Sequence, residues 1–256
     1  QAQLLLGTLY EDGLGGLSKD ESQAAYWYEK AANLGQSDAM FMLGSMYDDG
    51  NGVAKEYTKA KYHVAHISTA NAVQLVREGK KKGIHVTSEV TPHHFVLTDE
   101  IVRSFETNTK MNPPLRTQKD VDAMKEGLRD GTIDVIATDH APHSLDEKEV
   151  DYLQAPFGIV GLETAIGLSI TELVEPKILS MMQLVEKFST NPRKIVGKSI
   201  IIKEGEKANF TFIDPTVEWK VNTEQFKSKS KNSPFNGKIL KGKAIGIFNN
   251  NQLLQY

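Results

Sequence analysis

The sequence predicts an α/β protein built on a parallel sheet, preceded by a helical repeat and followed by a β-rich tail. Three observations carry this expectation. Strand-like apolar runs alternate with amphipathic helical runs between residues 62 and 196, the grammar of a parallel sheet with crossover helices. Residues 1 to about 60 repeat themselves, as helical solenoids do. From residue 198 onward the texture changes to short β-rich runs. The expected units are therefore 1–61, 62–196 and 197–256.

Composition narrows the function classes. Of the 256 residues, 39% are hydrophobic and 25% charged, an ordinary globular balance rather than a disordered one. The net charge of −3 argues against nucleic acid or an anionic membrane as the main partner. With no cysteine, disulfides and thiolate metal sites are excluded, and a metal would need His, Asp or Glu. No apolar run approaches membrane-spanning length and no signal peptide is visible, so a cytoplasmic protein is expected. The first residue is Gln1, which suggests a segment of something longer.

In the first unit, Ala2, Gly7, Tyr10 and Gly13 recur as Ala39, Gly44, Tyr47 and Gly50, each 37 positions later. Between them Ala24 to Ala32 is rich in alanine and aromatics and ends at Gly35. Small residues at fixed positions let two helices approach closely, and glycines end them. This pattern resembles the Sel-one-like repeat family, a relative of tetratricopeptide repeats. The resemblance implies a surface for a protein partner. The second repeat is expected to break off after Tyr57–Tyr62, where the chain turns strand-like at His63–Ile67.

The middle unit then reads strand (63–67), helix (70–82), strand (84–90), helix (119–129, ended by Gly131) and strand (133–137). Helices are expected over Gly161–Glu175 and Ser180–Phe188, the second closed by Ser189-Thr190-Asn191-Pro192. In the tail, strands are expected at Ser199–Ile202, Asn209–Asp214, Val217–Val221, Gly242–Phe248 and Gln252–Tyr256. The Lys227–Lys231 run reads as a solvated turn rather than an anion site.

The stretch with most chemistry is Thr138-Asp139-His140-Ala141-Pro142-His143, at the end of the third strand. Carboxylate and imidazole are zinc ligands and the usual groups for proton transfer; the alternative is a solvated polar loop. Strand ends are where parallel α/β folds put their sites. His66 ends the first strand, Glu89 the second with His93 and His94 just beyond, Asn112–Arg116 precedes the next helix, and Asp139 ends the third. Each strand thus delivers a ligand-type residue to one sheet edge. Side-chain alternation puts His63 and His66 on opposite faces, so only one can face a common cavity; His66 is the choice, with His63 packed or at the surface. His85, at the far edge, reads as structural.

Taken together, His66-Ile67-Ser68-Thr69, Ser88-Glu89-Val90-Thr91-Pro92-His93-His94, Met111-Asn112-Pro113-Pro114-Leu115-Arg116, Ala137–His143, Gly161-Leu162-Glu163-Thr164, Ser189–Pro192 and Ser228–Phe235 resemble bacterial type I dihydroorotase. The resemblance runs from about residue 62 to the C-terminus. It implies the C-terminal part, the last three strands, of a metal-dependent (β/α)₈ amidohydrolase barrel with a small β-sandwich. The implied reaction is the reversible hydrolysis of (S)-dihydroorotate to N-carbamoyl-L-aspartate in pyrimidine synthesis.

The resemblance further implies that His66 and Asp139 ligate zinc and that Asp139 is also the acid/base. Asn112 and His143 would hydrogen-bond the substrate, Pro156 and Gly158 would flank it with backbone groups, and Glu89 would neighbour the metal. Ala65 stands where some members have Cys, which speaks against an extra metal there. The family's Asp-x-His-x-His motif, its middle-strand ligands and its substrate-gripping arginine have no counterpart here, so activity of this chain alone is not expected. The alternative is a non-catalytic interaction protein, in which the repeats bind a partner and the barrel segment is a scaffold.

Overall fold

The computed structural model describes residues 2–34, 36–53, 61–198 and 202–255. Three helices open the chain: α1 (Ala2–Asp12), α2 (Glu21–Ala32) and α3 (Ser37–Asp49). The Asp20 carboxylate accepts the Gln23 amide at 2.9 Å and starts α2. Gly50, at φ +78°, ends α3. Gly7 lies where α1 crosses Tyr28; a Cβ there would sit 2.5 Å from the ring, so only glycine allows this approach. Ala24, Ala25, Tyr28, Ala31, Ala39 and Met46 form the core between these helices. The expected helix stop at Gly35 and most of the expected repeat break at Tyr57–Tyr62 lie outside the described residues.

The parallel sheet follows as expected. Strand β1 (Lys61–Val64) pairs with β2 (His85–Val90), and β2 pairs with β3 (Val135–Ile136), in the order β1-β2-β3. The crossovers are α4 (Ala70–Lys81) and, after the short α5 (Pro92–Val96), α6 (Gln118–Asp130). Thr69 caps α4, and a Thr117–Asp120 capping box opens α6. Asp120 also accepts the Ala70 amide at 2.8 Å, tying the two helix starts together. Their apolar faces pack on the sheet through Val73, Met124, Leu128, Ile133 and Ile136. Each such side chain contributes roughly 1.5–3 kcal/mol by leaving water.

Beyond β3, α7 (Leu145–Lys148) and α8 (Ala165–Ser169) lead into a π-helical stretch to Val174. A Ser180–Gln183 capping box opens α9 (Met181–Val185), and a second π-helical stretch joins it to α10 (Asn191–Ile195). The expected stop at Ser189–Pro192 therefore does not occur. Pro192 lies where the π-helical stretch gives way to α10, inside the continuous helix.

The tail forms an antiparallel sheet of β4 (Phe210–Lys220), β5 (Ile239–Asn249) and β6 (Gln252–Gln255). This is one of the two sheets that a sandwich contains. The two strands expected over 209–221 are one strand, with its register shifted between Asp214 and Glu218. Pro215 lies in that shift, since it cannot donate to a ladder. The strand expected at Ser199–Ile202 falls almost wholly outside the described residues. No helix among the described residues is long and apolar enough to cross a membrane.

Candidate functional site

The site forms at the C-terminal edge of the parallel sheet. Strand β1 ends at Val64, but Ile67 still donates its amide to the Glu89 carbonyl at 3.0 Å, which keeps His66 beside β2. Likewise Ala137 donates to the Val90 carbonyl at 3.1 Å, delivering Asp139 just past β3. His66 (φ +49°) and Asp139 (φ +44°) both occupy the left-handed region. Non-glycine residues rarely do so, and such outliers gather at functional sites.

These turns bring the two side chains together. His66 Nε2 lies 3.9 Å from Asp139 Oδ1, and His66 Nδ1 lies 2.9 Å from Glu89 Oε1, close but not in line for a hydrogen bond. The other Glu89 oxygen, Oε2, is 3.2 Å from His63 Nε2, and His63 Nδ1 is 2.8 Å from Thr87 Oγ1. Burial alone would raise the Glu89 pKa, but the two imidazoles outweigh it and hold the carboxyl down at about 2. Contact with Glu89 raises the pKa of His66, against a smaller lowering by burial.

His63 thus belongs to the site, contrary to the expectation from strand alternation. The two-residue period stops with β1 at Val64, and the left-handed turn at His66 swings its ring back to the Glu89 side. No sequence signal foretold that turn.

His93 and His94 are buried in α5. His94 Nδ1 meets Thr91 Oγ1 at 2.7 Å, and its Nε2 donates to the Pro113 carbonyl at 2.9 Å. That bond ties α5 to the loop carrying Asn112, whose bond to Pro113 is cis and whose side chain is exposed. Burial holds the His94 pKa at about 4 and that of His93 well below its ordinary range, so both rings are neutral.

The remaining expected residues sit in the loops after β3. His143 Nε2 lies 3.0 Å from the Phe157 carbonyl, and Nδ1 lies 3.6 Å from Glu147. The 156–158 backbone is already engaged: the Pro156 carbonyl accepts Lys148 Nζ at 2.8 Å and the Gly158 amide donates to the Lys110 carbonyl at 2.9 Å. Asn232, buried, was not singled out in the sequence, yet it closes this corner. Its Nδ2 donates to the Ala141 and Gly158 carbonyls and its Oδ1 accepts the His143 amide. The Lys227–Lys231 run is a bend with Lys227 and Lys229 exposed, and it also carries internal bonds. Lys231 Nζ donates to the Phe226 and Ser228 carbonyls, and Glu163 accepts the Lys227 and Ser228 amides.

The His66–Asp139 pair suits a cation. At 3.9 Å the two atoms are too far apart for a hydrogen bond and somewhat wider than the roughly 3.4 Å that two zinc bonds span at a tetrahedral angle. A protonated Nδ1 facing Glu89 leaves the Nε2 lone pair toward Asp139. The donor types fit zinc, which takes about three or four protein ligands. Among the described residues no group of three donors is placed to hold a metal.

The amidohydrolase family model matches residues 27–245, and this chain belongs to that family, whose members are generally metal-dependent. A Sel1 repeat model matches residues 1–36. Within the family the chain is similar to dihydroorotases. It is 54% identical over 207 residues to the dihydroorotase of Chlorobaculum tepidum, covering 80% of this chain and 46% of that protein. It is 53% identical over 188 residues to that of Pelotomaculum thermopropionicum, covering 73% and 44%. The chain thus spans about half the length of the curated relatives it matches.

Among solved structures, the L-hydantoinase of Arthrobacter aurescens aligns at TM-score 0.72 and 23% identity, over 99% of this chain and 54% of that one. The inactive dihydroorotase-like domain of a Chaetomium thermophilum multifunctional protein aligns at TM-score 0.60 and 22% identity, over 84% and 54%. These similarities show the fold alone, over about half of each of those chains.

Proposed function

We propose that this chain carries part of a dihydroorotase-type site, which hydrolyses (S)-dihydroorotate reversibly to N-carbamoyl-L-aspartate. The observation that carries the reading is the His66–Asp139 pair, turned to face across 3.9 Å by two left-handed residues. Identity above 50% to dihydroorotases supports the choice of reaction within the family.

Asp139 acts as the acid/base. Its carboxylate takes a proton from the attacking water as oxygen adds to the ring carbonyl, and returns it to the nitrogen as the ring C–N bond breaks. His66 Nε2 and Asp139 would hold zinc, together with ligands from the half of the relatives that this chain does not span. Bound zinc supplies Lewis acidity and a water of lowered pKa. Asn112 and His143 orient the substrate, and the Pro156–Gly158 backbone lines its place; the carbonyls there keep a second lone pair. The chain is read as a cytoplasmic protein of three units, 1–61, 62–196 and 197–256, with α1–α3 offering a surface to a protein partner.

A second reading, a non-catalytic scaffold, is favoured by one observation: the described residues place no group of three metal donors. One experiment separates the two. The purified chain is mixed with the N-terminal half of the Chlorobaculum tepidum dihydroorotase and zinc, and dihydroorotate hydrolysis and bound metal are measured on the same sample. The enzyme reading expects turnover and zinc that Asp139→Ala abolishes. A well-folded mixture with neither zinc nor turnover leaves the scaffold.

A further inference from the structure

Glu89 is clamped between two imidazoles, and one of them, His63, has no part in the reaction described above. His63 stands directly across from Thr87 in the β1–β2 register. Its Nδ1 lies 2.8 Å from Thr87 Oγ1 and its Nε2 lies 3.2 Å from Glu89 Oε2, while Glu89 Oε1 lies 2.9 Å from His66 Nδ1. An ionised carboxylate only accepts, so the His63 nitrogen bonded to it must carry hydrogen. His63 is then protonated on Nε2, and its bare Nδ1 accepts the Thr87 hydroxyl. His66 is protonated on Nδ1, because a lone pair 2.9 Å from a carboxylate oxygen would be repelled. Every group in the chain Thr87–His63–Glu89–His66 then has a consistent role.

We infer that His63 is a positioning residue: acting through Glu89, it fixes His66 with hydrogen on Nδ1 and the Nε2 lone pair turned to Asp139. Carboxylates set histidine ligands in this way in metal sites. The role deepens the dihydroorotase-type reading and rests on His66 and Asp139 being its reacting pair. It makes His63 a determinant of that pair without contact to substrate. Thr87 is the far anchor of the relay.

The test is the imidazole spectrum of the full chain, ¹⁵N-labelled at histidine, metal-free, at a pH where His66 is neutral. The expected pattern is hydrogen on Nδ1 of His66 and on Nε2 of His63. In His63→Phe the His66 signals move toward the opposite tautomer, and zinc affinity falls about 10–100-fold. His63→Gln, whose amide can still donate to Glu89, restores both. If His63→Phe fails to fold, the wild-type tautomers and the His63→Gln spectrum still decide. Hydrogen on Nε2 of wild-type His66, or a His66 pattern indifferent to His63→Phe, overturns the inference. These signals are read without turnover. A His66 pattern as expected beside an inert complemented site would remove the hydrolase reading, and with it any part of His63 in a reaction.

Discussion

His66 and Asp139 share one backbone feature: each takes a left-handed conformation just past the end of its strand, at φ +49° and +44°. The strands flank β2 on either side, so the two turns aim Nε2 and Oδ1 at each other across 3.9 Å. A left-handed backbone costs a non-glycine residue of order 1 kcal/mol. The fold holds two such residues where they face one another.

That arrangement separates chemistry from stability at Asp139. Asparagine tolerates the left-handed region about as well as aspartate. Asp139→Asn is therefore expected to keep the unfolding midpoint within about 0.5 kcal/mol of wild type. Turnover of the complemented site should fall about 10²–10⁴-fold, because the amide cannot carry the proton. Urea titration and the dihydroorotate assay on one preparation check both halves; full activity in the variant would remove Asp139 as the acid/base.

Much of this arrangement was legible in the sequence, and its limit has a physical cause. Hydrophobic periodicity and caps located α4, β2, α6 and β3, because those signals are local. The ligand-type residues at the strand ends followed from the strand order. What alternation could not reveal was the left-handed turn at His66, which brings His63 and His66 to the same carboxylate. Nor could it reveal Asn232, whose partners lie about ninety residues earlier in the chain. The helix through Pro192 was missed because a π-helical stretch shifts the hydrogen-bond ladder where the proline alone signals a stop.

The Glu89 clamp should make stability depend on pH. Its carboxyl is held at about 2, below the ordinary 4.5, so the unfolded chain binds more protons between those values. The stabilisation, up to about 3 kcal/mol, is present above pH 4.5 and lost as pH falls toward 2. His66 acts oppositely: its raised pKa stabilises the fold below its unfolded value, and that part is lost as pH rises through the folded one. The advantage of wild type over Glu89→Gln should thus be largest in mild acid, shrink below pH 4.5 and shrink partly as pH rises through the folded His66 value. Calorimetric melts across pH 2–8 check this, and a constant difference would contradict the clamp.

Gly158 is required by its backbone and by its neighbour. It stands at φ +100°, and a Cβ there would lie 2.6 Å from the Ala141 Cβ. Gly158→Ala should therefore cost about 2 kcal/mol or more, combining left-handed strain with a contact that only backbone movement relieves. Because Ala141 lies two residues from Asp139, the complemented site should lose turnover as well. Guanidinium unfolding measures the first effect; an unchanged midpoint would mean that the 156–158 segment relaxes freely.

Asn232 offers the sharpest test of how the corner after β3 is held. One buried amide bridges the Ala141 carbonyl at 2.9 Å, the Gly158 carbonyl at 3.3 Å and the His143 amide at 3.2 Å. Asn232→Ala leaves these backbone groups without that partner, at a cost of about 1–3 kcal/mol. Asn232→Asp separates the two kinds of bond. It keeps an acceptor for the His143 amide, but turns a carboxylate oxygen on the two carbonyls that the amide nitrogen served. If donation to those carbonyls holds the corner, Asp should be as damaging as Ala or worse. If the bond to His143 dominates, Asp should retain most of the stability. Amide hydrogen exchange at His143 and Gly158 distinguishes the outcomes. Faster exchange at Gly158 in both variants, with His143 protected only in Asn232→Asp, is the expected result, and protection unchanged in Asn232→Ala would show that this amide does not hold the corner.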